Sequence, residues 1–143
     1  MHSQSYLGYI FMSGTESSTD QTIKYREDCR NTIQLSPKIR YVGIINRFGR
    51  TLAGQLRKGV VPLFKPDEAR NDFFLEATRT QLRKTFENSI GKTHYTLTEN
   101  EKVKILTIDK DDIFYYVTLD SDASEVEISR IIQLIRNSVS DKK

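Results

Sequence analysis

One stretch of sequence indicates the fold of this chain: IRYVGIIN at Ile39–Asn46, the connection RFGR at residues 47–50 and TLAGQL at residues 51–56. The first run has apolar side chains at both alternating sets of positions, which is typical of a strand that is covered on both faces of its sheet. A glycine in a short connection between two such runs is a hairpin signal, and Gly49 supplies it here. Gly54 inside the second run indicates a bulge or a closely packed neighbour. Residues 39–57 are therefore predicted to form a β-hairpin.

Periodicity and end signals on either side of the hairpin predict the remaining elements. A long helix begins at Pro66 and stops at Gly91, and a last helix begins at a capping box made by Ser124 and Glu127. We expect an α/β (α+β) fold: a single five-stranded antiparallel sheet with helices on both faces, in the order α-β-β-α-β-β-β-α. The predicted spans are 20–35, 39–46, 51–56, 66–90, 93–98, 102–109, 113–120 and 124–138.

The composition is that of one folded domain. The 143 residues are 37% hydrophobic and 29% charged, which provides enough apolar material for one core. Residues 1–18 are rich in Ser, Thr and Gly, so we expect a flexible N-terminal segment followed by one domain at residues 19–143. The only cysteine, Cys29, cannot form an internal disulfide, which favours a reducing, cytoplasmic location. Because no apolar run approaches the ~20 residues of a membrane-spanning helix, we expect no membrane insertion.

Motifs for catalysis and for metal binding are incomplete. The tripeptide GKT at residues 91–93 resembles the end of a phosphate-binding loop, but Phe86 stands where the first glycine is required. The acidic run Asp109–Asp112 lacks the glycine and the glutamate of a calcium loop. His2 and His94 are the only histidines, and with one cysteine they cannot complete a zinc site. We therefore expect no catalytic residue, no cofactor and no metal.

Basic residues near the hairpin are candidates for contact with an anion or with an acidic partner. Solvated surface charge is the simpler explanation of the same residues and the one that the sequence favours, and Phe48 at the hairpin tip is too little aromatic surface for stacking nucleic acid bases. The net charge of +3 is also small for a nucleic-acid-binding protein, so nucleic acid is not an expected partner. The candidate contact residues are Arg47, Arg50, Arg57 and Lys58.

The long predicted helix has an apolar surface that is wider than one sheet face can cover. One stripe contains Leu75, Leu82, Phe86 and Ile90, and a neighbouring surface contains Phe73, Phe74, Ala77 and Gln81. Because the sheet uses one stripe, the second surface needs cover from another subunit or from the preceding loop, residues 60–64. Both explanations remain open from the sequence. The predicted dimer interface consists of Phe73, Phe74, Ala77, Gln81, Tyr95 and Leu97.

The element order and the hairpin resemble the Roadblock family, whose fold is close to that of profilin and longin domains. The matching residues are IRYVGIIN at 39–46, Gly49, LAG at 52–54 and RKG at 57–59, and a similar hairpin occurs in archaeal proteins of this general shape. The resemblance covers residues 20–138. It implies a non-enzymatic domain that dimerises through the long helix and the strand after it, here residues 66–90 and 93–98. It also implies a small GTPase, or a regulator of one, as a partner.

Three functional hypotheses follow from these observations. The first is a non-catalytic, dimeric adaptor or regulatory domain that acts through protein contacts. The alternative is a small-ligand sensor of the PAS or GAF kind, because a curved five-stranded sheet with helices can enclose a ligand. The third is a nucleic-acid-associated protein that binds through the hairpin, whose affinity would fall steeply with salt.

Overall fold

The computed structural model describes residues 19–140 and has the predicted architecture, a single five-stranded antiparallel sheet with helices on both faces. The predicted N-terminal segment, residues 1–18, lies outside the described residues. Within the described part, the predicted element order is confirmed, with one additional short helix after the long one. The elements are α1 (Thr19–Ile33), β1 (Ile39–Asn46), β2 (Thr51–Leu56), α2 (Pro66–Lys84), α3 (Glu87–Ile90), β3 (Tyr95–Glu99), β4 (Val103–Lys110), β5 (Ile113–Asp120) and α4 (Glu125–Ser140).

The predicted hairpin forms one side of the sheet, whose strand order is β2-β1-β5-β4-β3. Gly43 of β1 lies opposite Gly54 of β2, and the register of this pair shifts between Ile44 and Ile45. Ile44 and Ile45 are both 0% exposed, although adjacent residues of a strand point to opposite faces. This confirms that β1 is covered on both faces, as its continuous apolar run predicts.

Helices α1 and α4 cover one face of the sheet. Cys29 and Ile33 of α1 are buried there in the same apolar cluster as the isoleucines of α4. At the start of α4 the Glu127 N–H donates to the Ser124 hydroxyl at 3.1 Å, which is the predicted cap. The Glu127 carboxylate accepts a hydrogen bond from the Ser36 hydroxyl and so ties α4 to the connection between α1 and β1. The buried side chains of α4 are Ile128, Ile131, Ile132 and Ile135.

Helix α2 covers the opposite face and encloses a smaller core. The Phe73 ring meets the Tyr116 ring edge-on, with 4.8 Å between ring centroids, and its centroid lies 6.3 Å from that of Tyr41. Ala77, one turn along, belongs to the same cluster. The Tyr116 hydroxyl donates a hydrogen bond to the Asp72 carboxylate, so the one polar group of this ring is satisfied.

The long helix is interrupted, whereas the sequence predicted one helix from residue 66 to residue 90. Helix α2 ends at Lys84, and α3 is a separate turn that ends at Gly91, whose φ of 85° is the left-handed region that glycine tolerates. The Thr85 hydroxyl donates to the Leu82 carbonyl at 2.7 Å, and the Thr85 N–H also points to this carbonyl. The Thr85 and Phe86 N–H groups bond to carbonyls three residues back instead of four, so the helix tightens and ends here although its apolar stripe continues.

Candidate functional site

The structure corrects the predicted division of α2 into two surfaces. Phe73 and Ala77 are 2% and 1% exposed because they pack on the sheet, so neither side chain is available to a second subunit. These two residues of the predicted interface therefore lie in the core of the single chain. Leu75 and Leu82, which the prediction left to the sheet, are 50% and 59% exposed. Both surfaces of the helix are apolar in sequence, and periodicity alone does not say which of them faces the core.

The remaining residues of the predicted interface do not lie together. Phe74 is exposed and lies beside the hairpin turn, where a Cβ placed on Gly49 would be 2.9 Å from the Phe74 Cα. Tyr95 and Leu97 are exposed on β3, opposite Ile108 and Leu106 of β4. Opposed residues of antiparallel strands share a face, and Leu106 and Ile108 face α1 and α4. Tyr95 and Leu97 therefore lie on the sheet face opposite α2. Gln81, also on α2, is partly buried.

Four exposed apolar side chains form what we call the ridge: Leu75 and Leu82 on α2, with Phe86 and Ile90 beyond the break. Phe86 and Ile90 are 52% and 64% exposed. Large apolar side chains that recur along one element at this exposure mark a contact surface more often than a solvated face. The chain passes from the ridge directly into β3, which pairs only with β4 among the described strands. The ridge thus leads to an open sheet edge.

A small polar cleft separates α2 from β3 and β4. Glu76 is buried at its base, and burial raises the pKa of this carboxyl; the Arg79 guanidinium, 3.8 Å away, opposes the shift and Asp72 adds to it. Burial likewise raises the pKa of the Asp109 carboxyl, against the charge of Lys84. The cleft has a volume of about 10 Å³, which is room for about one water molecule. Two carboxylates border it, but a substrate would not fit.

The candidate basic residues do not form one cluster. Arg47 and Arg50 are exposed at the hairpin turn, where the Arg47 guanidinium lies 5.2 Å from the Phe48 ring centroid. Lys58 is exposed after the far end of β2. A six-residue strand spans roughly 20 Å, so Lys58 and the turn residues belong to different surfaces.

Arg57, one of the predicted anion contacts, has a structural role. Its guanidinium donates to the carbonyls of Ile39 at 2.6 Å, Ile33 at 2.5 Å and Ser36 at 2.6 Å. The Ile33 carbonyl belongs to the last turn of α1, where helical carbonyls need outside donors and a positive charge is favourable. Arg57 therefore joins the end of α1 to the start of β1.

An apolar groove lies between the loop before α2 and the sheet, at the first two turns of α2. Its volume is about 100 Å³. From the sequence, residues 60–64 of this loop are predicted only as cover for the long helix. In the sequence, the groove is marked by the apolar run VVPLF, which lies between Lys58 and Lys65. The residues that line the groove include Tyr41, Leu56, Val60, Leu63, Phe64 and Phe73.

Other kinds of site find little support in the described part of the chain. No group of three His, Cys, Asp or Glu side chains within residues 19–140 is placed to hold a metal ion. Cys29 is buried, and burial raises the pKa of its thiol to about 12, so the reactive thiolate is scarce at neutral pH. Among the described helices, none combines the length and the hydropathy needed to cross a membrane.

Solved structures match this fold at low sequence identity. MglB with a tetrameric arrangement aligns with a TM-score of 0.67 over 90% of this chain and 91% of that protein, at 12% identity. The Roadblock/LC7 domain from Streptomyces avermitilis gives 0.57 over 80% and 97%, at 11% identity. A profilin from Schizosaccharomyces pombe gives 0.57 over 82% and 97%, at 12% identity. No family model matches the sequence, and a search of the curated proteins found no match.

Sequence identities this low support a shared fold, but they do not show that the activity of these proteins is shared. The structural alignment with MglB extends over 90% of this chain, and so over most of the elements described above. The chain has a Roadblock-like fold.

Proposed function

We propose that this protein is a non-catalytic adaptor or regulatory domain that works as a homodimer, formed through the ridge and the open edge of β3. The observation that carries the proposal is the ridge itself. Its four side chains are each at least half exposed in the single chain. Burying a Leu, Ile or Phe side chain is worth about 1.5–3 kcal/mol, so covering the ridge twice in a symmetric pair provides a substantial driving force.

The edge of β3 supports the same arrangement. An exposed edge strand presents unpaired backbone groups that readily pair with another chain. Strand β3 is five residues long and carries Tyr95 and Leu97 as exposed apolar side chains. Among the structurally similar proteins, one MglB is named for its tetrameric arrangement, so this fold supports self-association at least there.

The dimer is proposed to act through protein contacts in the cytoplasm, with a small GTPase or a regulator of one as the partner. This partner follows from the Roadblock resemblance. The weakness of the alternatives adds support: the 10 Å³ cleft is too small for a substrate, and the described chain has no metal-binding cluster. A domain with these features is suited to a role as a binding surface.

The oligomeric state tests the dimer directly. We expect light scattering to give twice the chain mass at tens of micromolar. Leu82→Glu would place two carboxylates in the apolar interface and weaken the dimer by roughly 100-fold or more. Val126→Glu is the matched control, because Val126 is 81% exposed on α4, outside the proposed interface. A wild-type protein that is monomeric at several hundred micromolar contradicts the proposal.

The partner is tested separately. The tagged protein, captured from its own cell and analysed by mass spectrometry, should enrich a small GTPase or a GTPase regulator. The recovered protein should then bind the purified dimer in a titration, with an affinity that differs between its GDP and GTP-analogue forms if it is a GTPase. Enrichment of nucleic-acid-binding proteins or metabolic enzymes alone would remove the GTPase assignment and leave the dimer intact.

The small-ligand sensor is the weaker candidate on size. Ligand pockets for small molecules have volumes of about 300–1,000 Å³. The groove beside α2 has about 100 Å³ and is open along one side. We therefore keep the adaptor as the proposed function and treat the groove as a different kind of site.

A further inference from the structure

The apolar groove is built by three parts of the chain that meet at the start of α2. Its floor comes from Tyr41 of β1 and Tyr116 of β5, and one side comes from Ala69 and Phe73 of α2. The other side is the loop, residues 57–65. The aromatic rings of the floor and of Phe73 pack on each other at centroid distances of 4.8–6.4 Å, so this part of the groove is preformed.

The loop side of the groove is also held in place. The Arg40 guanidinium donates to the Val61 carbonyl at 2.9 Å and forms an ion pair with Asp120 at 3.1 Å. The Arg40 guanidinium therefore anchors the loop, and Asp120 of β5 holds this guanidinium in position. Despite this anchor, Val61 and Leu63 are 78% and 51% exposed. A loop that is fixed by hydrogen bonds while its apolar side chains remain in water has the properties of a preorganised binding surface.

The size of the groove selects one kind of occupant. Its volume of about 100 Å³ is well below that of a small-molecule site. One large apolar side chain, such as that of Phe or Leu, fits this space. Interfaces between proteins commonly depend on such a single anchor in an apolar pocket.

The charged residues around the groove indicate which residues of the partner should flank the anchoring side chain. Lys65 lies between two lining residues, Lys102 precedes the lining residue Val103, and Lys58 is two residues before Val60. None of these three lysines forms an ion pair with a described residue.

Most of the nearby carboxylates already have partners. Asp67 pairs with Arg70, Asp120 pairs with Arg40, and Glu68 accepts a hydrogen bond from the Lys65 N–H. The Glu68 carboxylate keeps its charge, because a backbone N–H does not neutralise it, and Glu101 is exposed beside Lys102. The three unpaired lysines near the groove therefore outnumber the two unpaired carboxylates, which favours a partner that carries acidic residues.

We propose that this groove is the docking site for one large apolar side chain presented by an acidic segment of a protein partner. The site differs from the proposed dimer interface, because it uses the first two turns of α2 and the loop before them, whereas the ridge begins at Leu75. Both surfaces can be occupied at once, so an assembled dimer would offer two grooves.

Peptide titration of the ¹⁵N-labelled protein tests the site. The three probes are 12-residue peptides: a central Phe among glutamates, the same Phe among lysines, and a central Ser among glutamates. We expect the first peptide alone to shift the amide signals of the loop residues 59–61 and 63–65 and of residues 103 and 118. Leu63→Asp and the triple variant Lys58→Glu, Lys65→Glu, Lys102→Glu should each weaken this binding at least tenfold. The triple variant should in turn bind the lysine peptide.

Lys92→Glu is the control for charge, because Lys92 is exposed and paired with Asp111 away from the groove. It should bind the first peptide as the unaltered protein does. Equal binding of the glutamate and lysine peptides would overturn the proposal, and so would the absence of shifts in the loop at millimolar peptide. Stronger binding at the groove by a single-stranded oligonucleotide or by anionic phospholipid vesicles would also overturn it. Light scattering of the same variants keeps the two proposals apart, because the groove variants should retain the dimer mass.

Discussion

The inner and outer faces of α2 are equally apolar in sequence and have opposite environments in the structure. Phe73 and Phe74 are adjacent and chemically identical, yet they are 2% and 64% exposed. The inner face meets Tyr41 and Tyr116, while the outer face leaves the Phe74 side chain mostly in solvent beside the hairpin turn. One helix here therefore serves two purposes: its inner face closes a core, and its outer face presents the ridge. Substitutions on the two faces should therefore separate stability from association.

The largest expected effect is on the inner face. Phe73→Ala should lower the free energy of unfolding by about 3–5 kcal/mol, because it removes a buried ring and leaves a cavity. Phe74→Ala is the matched control and should change it by less than about 0.5 kcal/mol. Urea unfolding of both variants measures the difference. Similar values for the two would contradict the assignment of the faces.

The same contrast between inside and outside applies to the arginines of the hairpin. Arg57→Met keeps the apolar stem and removes hydrogen bonds to three backbone carbonyls, so we expect a loss of about 2–3 kcal/mol in unfolding free energy. Arg50→Met, at the exposed turn, should lie within about 0.5 kcal/mol of the unaltered protein. Chemical denaturation of the pair decides whether Arg57 is structural.

A smaller loss is expected where the inner face of α2 is polar. Tyr116→Phe removes the donor to the Asp72 carboxylate and should cost about 1.5–3 kcal/mol, because the bond involves a charged partner. The double variant with Asp72→Asn should lose less than the sum of the two single changes. A double-mutant cycle that proves additive would show that the two groups are not coupled.

The smallest effect should appear as a pH dependence. Burial raises the pKa of Glu76 above its unfolded value, so the folded state holds this proton more tightly than the unfolded chain does. The contribution of Glu76 therefore favours folding at low pH and is lost as the pH rises through the folded pKa. Glu76→Gln should raise stability at neutral pH and flatten its decline above the ordinary carboxyl range. Unfolding midpoints from pH 4 to pH 8 measure this, with Glu125→Gln as an exposed control. Unchanged pH dependence would count against a buried charge at this position.

Strand prediction succeeded where local patterns are strong. The spans of β1, β2 and β5 agree with the predicted 39–46, 51–56 and 113–120, because two-sided apolar runs between turn residues have few alternatives. The start of β3 was predicted two residues early, at Thr93 instead of Tyr95. The break after Lys84 was missed altogether, since it depends on backbone bonds that reach three residues back instead of four.

Site prediction was less complete, and the misses have a common cause. The sequence correctly located an excess of apolar surface on the long helix but assigned its faces in reverse. It grouped Arg57 with Lys58, although one guanidinium binds carbonyls inside the fold and the neighbouring ammonium lies in water. It also did not show the groove, whose walls come from β1, β5, α2 and the loop. Each miss concerns which groups meet across the chain.

The sequence by itself determined the element order, the hairpin and the sheet, because these follow from local periodicity, turn residues and helix ends. Only the tertiary structure decided which face of α2 is buried, which arginine is structural and where the apolar groove lies. The physical reason is that burial is a property of two surfaces. Burying an apolar stripe of a helix yields the same hydrophobic free energy whichever face of the helix the stripe is on. The elements that pack against the helix therefore decide which stripe becomes core and which becomes a contact surface.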